Sequence, residues 1–315
     1  MRALLIVNPH ATSTTPLRRD VIVSALASEF DLEVVETRYR GHAVALAAGA
    51  VKERRDLVIT LGGDGTVHEA VNGLVHGPDG RQAPAAADDL PALAPIPGGN
   101  ANVFTRSLGL AADPIDATGQ ILAAISGRRT RCIGLGMTDD RYFTCSAGLG
   151  IDAEVVRAIE GLRATGRPVS DRLYTWTAIR QFYAATDRRH PALTLERDGH
   201  PPVGRVFLGV VSNTTPWTYL GRRPVNPSPL ASFDAGLDVF ALRRMRTVST
   251  LNVIRQMLSG GNQQPNGRHV LSLHDLPSLT LRSERPIALQ VDGEYMGERE
   301  CVSFRSVPRA LRVVT

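Results

Sequence analysis

Two glycine turns and two acidic turns carry the residues of this chain best suited to chemistry. The first glycine turn is Gly62-Gly63-Asp64-Gly65-Thr66, directly after the apolar run 57–61 and before Val67-His68-Glu69-Ala70-Val71. A buried strand, a glycine turn and a helix start, in that order, aim free backbone N–H groups at a point where an anionic phosphate can bind. Gly62, Gly63 and Gly65 are expected to take positive φ and to let a ligand come close to the backbone. Asp64 is the odd member, because a carboxylate repels phosphate unless it holds a metal or takes a proton. The plainer alternative is an ordinary strand-to-helix turn with an acid near a helix N-terminus. The turn matches neither G-x-x-x-x-G-K-[ST] nor G-x-G-x-x-G, so neither a Walker loop nor a Rossmann fingerprint is supported.

The second glycine turn is Pro97-Gly98-Gly99-Asn100-Ala101-Asn102, again between a strand and a short helix. Asn100 and Asn102 offer amide contacts to a ribose, base or phosphate, or else cap the helix. Near the chain end, Asp292-Gly293-Glu294 either joins two strands as a tight turn or completes a metal or base site with its two carboxylates. Asp234-Ala235-Gly236-Leu237-Asp238 is a similar acidic turn. Eight histidines form no H-E-x-x-H or comparable pattern, so none is assigned to zinc.

The elements that must position these turns follow from apolar runs and breakers. Strands are expected over 3–7, 32–37, 57–61 and 93–96. Helices are expected from Pro16, behind a Thr15 cap, to about 28, from 42 to about 54, after the first glycine turn to about 75, and over 114–125. This β-α-β-α order predicts a doubly wound parallel α/β domain whose ligands sit beyond the carboxyl ends of the strands, so both glycine turns would flank one crevice. Residues 77–90, rich in turn formers and alanine, read as a tolerated surface insertion.

From about 131 the texture changes to short strand-like runs at 131–137, 142–147, 192–195, 205–212, 237–242, 278–281 and 287–291. They predict a mostly antiparallel, β-sandwich-like second domain, interrupted by helices over 152–162, 171–186 and 249–259. The expected domains are 1–131 and 132–300, with residues 301–315 returning to the first. The 171–186 helix either lines a lipid pocket or is an amphipathic core helix. Trp217 and Tyr219, in a Pro-rich loop beside Arg222 and Arg223, either face an interfacial lipid site or pack the loop down.

The length, 315 residues, suffices for two domains, and the composition is that of a folded rather than a disordered chain. The net charge of +5 comes mostly from arginine pairs, which suit nucleotide phosphates or an anionic membrane, or are simply solvated. Nucleic acid is disfavoured by the absence of any RNP, KH or zinc-finger pattern. Three cysteines without metal-ligand spacing fit a reducing compartment. No apolar run approaches the length of a membrane span. The expected location is cytoplasmic, with peripheral membrane contact.

Together these motifs resemble the diacylglycerol kinase catalytic-domain family, which includes bacterial lipid kinases and sphingosine kinases. The resemblance runs across nearly the whole chain. Asn8-Pro9 ends the first strand as in that family, and Thr37 with Gly41-His42-Ala43 looks like its second nucleotide-site segment. Gly62-Gly63-Asp64-Gly65-Thr66 matches the signature turn, and Pro97 to Asn102 with Phe104 and Arg106 is similar to the second glycine turn. Tyr142-Phe143 with Ser146, Gly148, Gly150 and Asp152 looks like the opening into the second domain. Asp234 with Gly236, Leu237 and Asp238 resembles a turn that binds a structural Mg²⁺ in some members, and Asp292-Gly293-Glu294 matches the C-terminal acidic motif. Asn100 stands where Thr is usual, Val103 where Asp is common, and Gly134 where an Asp of the metal or substrate site is often found.

The resemblance implies an ATP-dependent lipid kinase that transfers the γ-phosphoryl group to a lipid hydroxyl, with ATP and Mg²⁺ as cofactors. It implies a nucleotide site at Asn8, Thr37, Gly62, Gly63, Gly65, Thr66, Gly98, Gly99, Asn100, Asn102 and Asp292. Asp64 and Glu294 are the catalytic carboxylates, either of which is a base towards the hydroxyl, and Asp64 and Asp234 are the metal-binding ones. The partners implied are a lipid substrate and an anionic membrane surface, with homodimerisation left open. The rivals are an NAD kinase-like enzyme, whose family shares a Gly-Gly-Asp-Gly-Thr turn, and a nucleotide- or lipid-binding protein without catalysis.

Overall fold

The computed structural model describes residues 1–11, 14–76, 87–139, 141–164 and 191–315. The chain divides into two compact units, Met1–Leu135 with Pro308–Thr315, and Gly136–Val307.

In the first unit, β1 (Arg2–Val7), β2 (Asp31–Glu36), β3 (Leu57–Gly62) and β4 (Ala92–Pro97) form a parallel sheet in the order β2-β1-β3-β4. Every residue of β3 and β4 is buried, as expected of central strands covered on both faces, whereas edge strand β2 is largely exposed. The helices between them are α1 (Pro16–Ala27), α2 (His42–Lys52), α3 (Asp64–His76), the short α4 (Val103–Ser107) and α5 (Pro114–Ser126). α1 packs against α5, α2 against α3, and the short α4 also against α3. Local sequence sets several ends. Thr15 caps α1 by accepting the Arg18 N–H, with Pro16 at the first helical position. Asp113 caps α5 in the same way, ahead of Pro114. Residues 77–86 of the expected insertion lie outside the described residues, and Ala87–Asp89 forms a 3₁₀ turn.

The second unit is antiparallel. β7 (Ser146–Gly150), β10 (Leu208–Ser212), β13 (Leu237–Leu242) and β14 (Val270–Leu276) run side by side, with β15 (Ser278–Val291) on the other flank of β7. The early part of β15 pairs with β8 (Leu193–Arg197), which pairs with β9 (His200–Val206); its last residues pair with β7. An irregularity between Arg282 and Ile287 lets one strand serve both groups, as a strand at the corner of a sandwich does. Phe143, Leu149, Leu195, Val211, Leu281 and Phe304 belong to the apolar core so enclosed. β5 (Thr130–Thr138) pairs with β6 (Arg141–Phe143), and β11 (Thr218–Leu220) forms a small hairpin with β12 (Arg223–Val225). The helices of this part are α6 (Ile151–Ala164) and α7 (Thr247–Met257). The helix expected over 171–186 lies outside the described residues.

Three features depart from the sequence reading. The runs at 278–281 and 287–291 are one strand, because the polar stretch between them bulges rather than turns. The run at 205–212 is two strands, β9 and β10. The final strand, β16, is a 21-residue element, Glu294–Val314, whose end lies parallel to β4 through Val313 and Leu93.

Candidate active site

In the first unit, strand order alone places both glycine turns side by side, since β3 and β4 are neighbours in register down to Gly62 opposite Pro97. The Gly98 N–H donates to the Gly62 carbonyl at 2.7 Å, joining the turns directly. A β-carbon on Gly98 would lie 2.9 Å from the Gly62 Cα, and one on Gly99 would lie 2.8 Å from the Gly63 Cα. The expected positive φ is absent at Gly62, Gly63 and Gly65, and Gly98 and Gly99 do not take it either. What requires glycine at Gly63, Gly98 and Gly99 is contact of one turn with the other, backbone on backbone. Gly62 is constrained by its own turn, where a β-carbon would meet the Thr66 Oγ1 at 2.5 Å.

The helix α3 starts at Asp64, with the Gly63 carbonyl accepting the N–H groups of Thr66 (3.0 Å) and Val67 (3.2 Å). The N–H groups of Asp64 and Gly65 come earlier in this first turn, where a helix offers no internal acceptor. Thr66 Oγ1 accepts from the Asn8 Nδ2 at 3.2 Å. Asn8 is itself tied down, its N–H donating to the Leu61 carbonyl (2.9 Å) and its Oδ1 accepting from His10 N–H (3.0 Å). Thr37 follows β2 and donates its N–H to the Val7 carbonyl at 2.8 Å. Asn8, Thr37, the Gly62–Thr66 turn and the Gly98–Asn102 turn therefore all lie at the carboxyl ends of β1 to β4.

Asp64 is held from across this edge, its Oδ1 accepting the Phe104 N–H of α4 at 3.1 Å. This bond fixes the carboxylate at the head of α3 and supports the start of α4. Asn102, 5 % exposed and left-handed (φ 46°), closes the second turn on itself. Its Oδ1 accepts the Gly99 N–H at 2.8 Å and its Nδ2 donates to the Gly99 carbonyl at 2.7 Å. Asn102 thus shapes the turn, whereas Asn100 is exposed on its rim.

One residue of this edge escaped the sequence reading. Glu69 on α3 accepts the N–H groups of Gly41 (2.7 Å) and Ala43 (3.2 Å), capping the start of α2 from a neighbouring helix. Gly41 stands at φ 89°, which glycine tolerates best. The signal for Glu69 was the one acid between Thr66 and Val75, a stretch of α3 whose other residues are buried.

In the second unit, Asp292 and Gly293 both have positive φ, 47° and 79°, and form the tight turn between β15 and β16. Asp292 holds the segment before β7. Its Oδ2 accepts from Thr144 N–H (2.7 Å) and Thr144 Oγ1 (2.9 Å), and its Oδ1 from the N–H groups of Cys145 (2.8 Å) and Ser146 (3.1 Å). These bonds give Asp292 a positioning task in its own unit. Gly293 N–H donates to the Oε1 of buried Gln290 at 2.9 Å, and half-buried Glu294 opens β16 opposite Val291.

Two metal assignments are tested by donor chemistry. Mg²⁺ at a nucleotide typically takes one or two carboxylates and completes its shell with substrate phosphates and water. Asp64, anchored at the head of α3, is a donor of that kind. In the Asp234 turn the two acids of the motif, Asp234 and Asp238, sit in different surroundings. Asp234 is exposed, with its N–H donating to Ser232 Oγ at 3.3 Å. The fully buried Asp238 has its Oδ1 against His274 Nδ1 (2.7 Å) and the Asp275 N–H (3.1 Å), and Asp275 Oδ1 accepts the Gly236 N–H at 2.6 Å. Hydrogen-bond donors take one oxygen of Asp238, while its buried Oδ2 has no hydrogen-bond partner among the described residues. Burial pushes the Asp238 carboxyl above its ordinary range, against the Asp275 N–H and His274, which favour the charged form. Among the described residues, no group of three or more His, Cys, Asp or Glu side chains is placed to hold a metal.

Gly134, where the family often has Asp, lies inside β5 and is buried. Asp139 turns back on its own unit, its Oδ1 accepting the Ser303 N–H at 3.3 Å; Asp140 lies outside the described residues. Among the described residues no helix is long and apolar enough to cross a membrane.

The fold recurs in known proteins. A solved diacylglycerol kinase from Bacillus anthracis str. Sterne superposes with a TM-score of 0.70 at 20% identity, covering 99% of this chain and 96% of that one. Another solved chain from the same organism gives a TM-score of 0.76 at 22% identity, with the same coverage. In sequence, the chain is 25% identical to the diacylglycerol kinase of Staphylococcus carnosus (strain TM300), over 100% of this chain and 95% of the relative. It is also 25% identical to the diacylglycerol kinase of Staphylococcus saprophyticus subsp. saprophyticus, over 94% of this chain and 90% of that relative. Residues 2–131, which hold both glycine turns and Asp64, match the model of the diacylglycerol kinase catalytic domain. The chain thus matches the diacylglycerol kinase catalytic domain over residues 2–131 and is similar over nearly its whole length to bacterial diacylglycerol kinases.

Proposed function

We propose that this enzyme transfers the γ-phosphoryl group of ATP to the hydroxyl of diacylglycerol or a sphingoid-like lipid alcohol. The observation that carries this reading is the pair of glycine turns packed backbone on backbone, with Asp64 anchored between α3 and α4. Family relatives named diacylglycerol kinase favour a glycerolipid acceptor.

In this reading the phosphates of ATP lie along the strand-end edge, against the first N–H groups of α3. Gly62, Gly63, Gly65, Thr66, Gly98 and Gly99 shape that cradle, Asn102 holds the second turn in form, and Asn8, Thr37 and Asn100 border it. Mg²⁺, when bound with the nucleotide, neutralises charge on the phosphates, and Asp64 is the residue that holds it. A hydroxyl is a weak nucleophile at neutral pH, so a carboxylate must accept its proton as the new P–O bond forms. That carboxylate is Asp64 or Glu294. Asp292 acts at one remove, by fixing the turn that presents Glu294.

Supplying labelled ATP and Mg²⁺ with separate acceptors tests the proposal. Diacylglycerol or a sphingoid base should become labelled, and NAD should not. Label entering NAD alone would transfer the assignment to a soluble nucleotide acceptor. Label entering no acceptor, by folded protein that binds ATP, would leave a non-catalytic binder.

A further inference from the structure

The helix α7 (Thr247–Met257) carries apolar residues on two faces. Thr250, Val253 and Met257 are buried, and Val253 and Met257 pack in a cluster with Val225, Phe240 and Leu242. Val248, Leu251 and Ile254, three residues apart, face outward and are 82%, 59% and 42% exposed. Burial of the first face accounts for the helix; it does not account for the second. A surface helix ordinarily turns polar residues to solvent.

The charge around this face is of one sign. From residue 239 to residue 274 there is no Asp or Glu, while Arg243, Arg244, Arg246, Arg255 and Arg268 all fall there and are exposed. Arg255 follows Leu251 by four positions and Val248 by seven, which sets it on the outward stripe. The Arg243 N–H donates to the His269 carbonyl at 2.8 Å, so the arginines before α7 and those of the 268–269 segment are neighbours. The His269 imidazole senses them: it is held below its usual range by desolvation first, then by Arg244, Arg268, Arg246 and Arg243. The β11–β12 hairpin adds Arg222, Arg223 and the partly exposed Leu220, and is tied to the end of α7 by the Asn226 N–H on the Met257 carbonyl at 3.0 Å.

We propose that the outward face of α7 is the surface by which this chain docks on an anionic lipid bilayer. Val248, Leu251 and Ile254 enter the headgroup–acyl boundary while the surrounding arginines meet lipid phosphates. An apolar stripe rimmed by basic residues and free of acids is the arrangement that lies in such an interface. The proposal rests on the lipid-acceptor reading above, in that it names the face that brings the enzyme to its substrate.

The test is sedimentation of the full chain with vesicles of phosphatidylcholine alone or with added phosphatidylglycerol. The wild type should bind the anionic vesicles, and binding should weaken as salt rises. Val248→Ser/Leu251→Ser/Ile254→Ser should bind about tenfold more weakly, as should Arg244→Gln/Arg246→Gln/Arg268→Gln. Both variants change exposed residues only, and unchanged thermal midpoints will verify their folding. Both should phosphorylate a monomeric short-chain diacylglycerol as the wild type does, and lose rate only on vesicles. Vesicle binding by both variants equal to the wild type would overturn the proposal. So would concentration-dependent self-association of the wild type that the apolar substitutions abolish while vesicle binding persists, because the face would then serve a second copy. If vesicle binding depends on α7 but no lipid is ever phosphorylated, the docking face stands and the kinase reading fails.

Discussion

Gly99 lies against Gly63 so closely that a β-carbon on it would come within 2.8 Å of the Gly63 Cα. That approach joins the turn after β3 to the turn after β4 and makes one edge from two distant stretches of chain. Backbone cannot give way as the end of a flexible side chain can. Gly99→Ala should therefore destabilise the protein by about 1–3 kcal/mol and weaken nucleotide binding by about tenfold or more. Thermal melting and titration with an ATP analogue check both. An alanine variant with wild-type melting and affinity would show that the turns tolerate separation.

Asp292 makes a second prediction, and a discriminating one. Its carboxylate accepts from Thr144 N–H and Oγ1 and from the N–H groups of Cys145 and Ser146. Asp292→Ala leaves those donors without their partner, and the loss should be about 2–4 kcal/mol of stability. Asp292→Asn should be intermediate, because an amide presents N–H groups to donors on one side. A positioning role predicts lower urea midpoints for both, with the KM for ATP close to wild type where the variants remain folded. A raised KM at unchanged stability would place Asp292 at the nucleotide site instead.

The buried Asp238 gives a pH dependence whose sign is set by its environment. Burial raises its carboxyl, opposed by the Asp275 N–H and His274. The folded state then holds that proton more tightly than the unfolded state. Stability from this group is greatest in acid and declines as pH rises from the ordinary carboxylate range through the raised value. Asp238→Asn cannot titrate, so its stability relative to wild type should improve over that window and level off above it. Urea unfolding of both proteins across the acidic range measures this, and parallel profiles would contradict it.

Much of the first unit was legible because its signals are local. The apolar runs of β1, β3 and β4 end in breakers, and Thr15-Pro16 marks the start of α1 by its own chemistry. The acidic and glycine turns stood out as strings, yet their tasks depended on partners far away in sequence. Glycine at Gly62 and Gly63 was read as room for a ligand, whereas Thr66 fills that space at Gly62 and Gly99, 36 positions later, fills it at Gly63. Asp292 finds its partners 146 to 148 positions earlier, which no turn rule indicates. β16 was missed over most of its length because Glu298, Arg299 and Glu300 lie exposed along it and break any apolar alternation. The acidic turn at Asp234 gave no sign that His274 and Asp275, more than 30 residues on, would bind one oxygen of Asp238.

The central claim is phosphoryl transfer to a lipid at the edge that Asp64 heads. The most direct measurement is transfer from γ-labelled ATP to diacylglycerol in mixed micelles with Mg²⁺, by wild type and Asp64→Asn. The asparagine keeps an oxygen for the Phe104 N–H, so the fold and ATP binding should survive while the rate falls by about a thousandfold or more. A labelled lipid formed by the wild type and not by the variant is the predicted result. Equal labelling by the two proteins, or none by a wild type that binds ATP, would contradict the account.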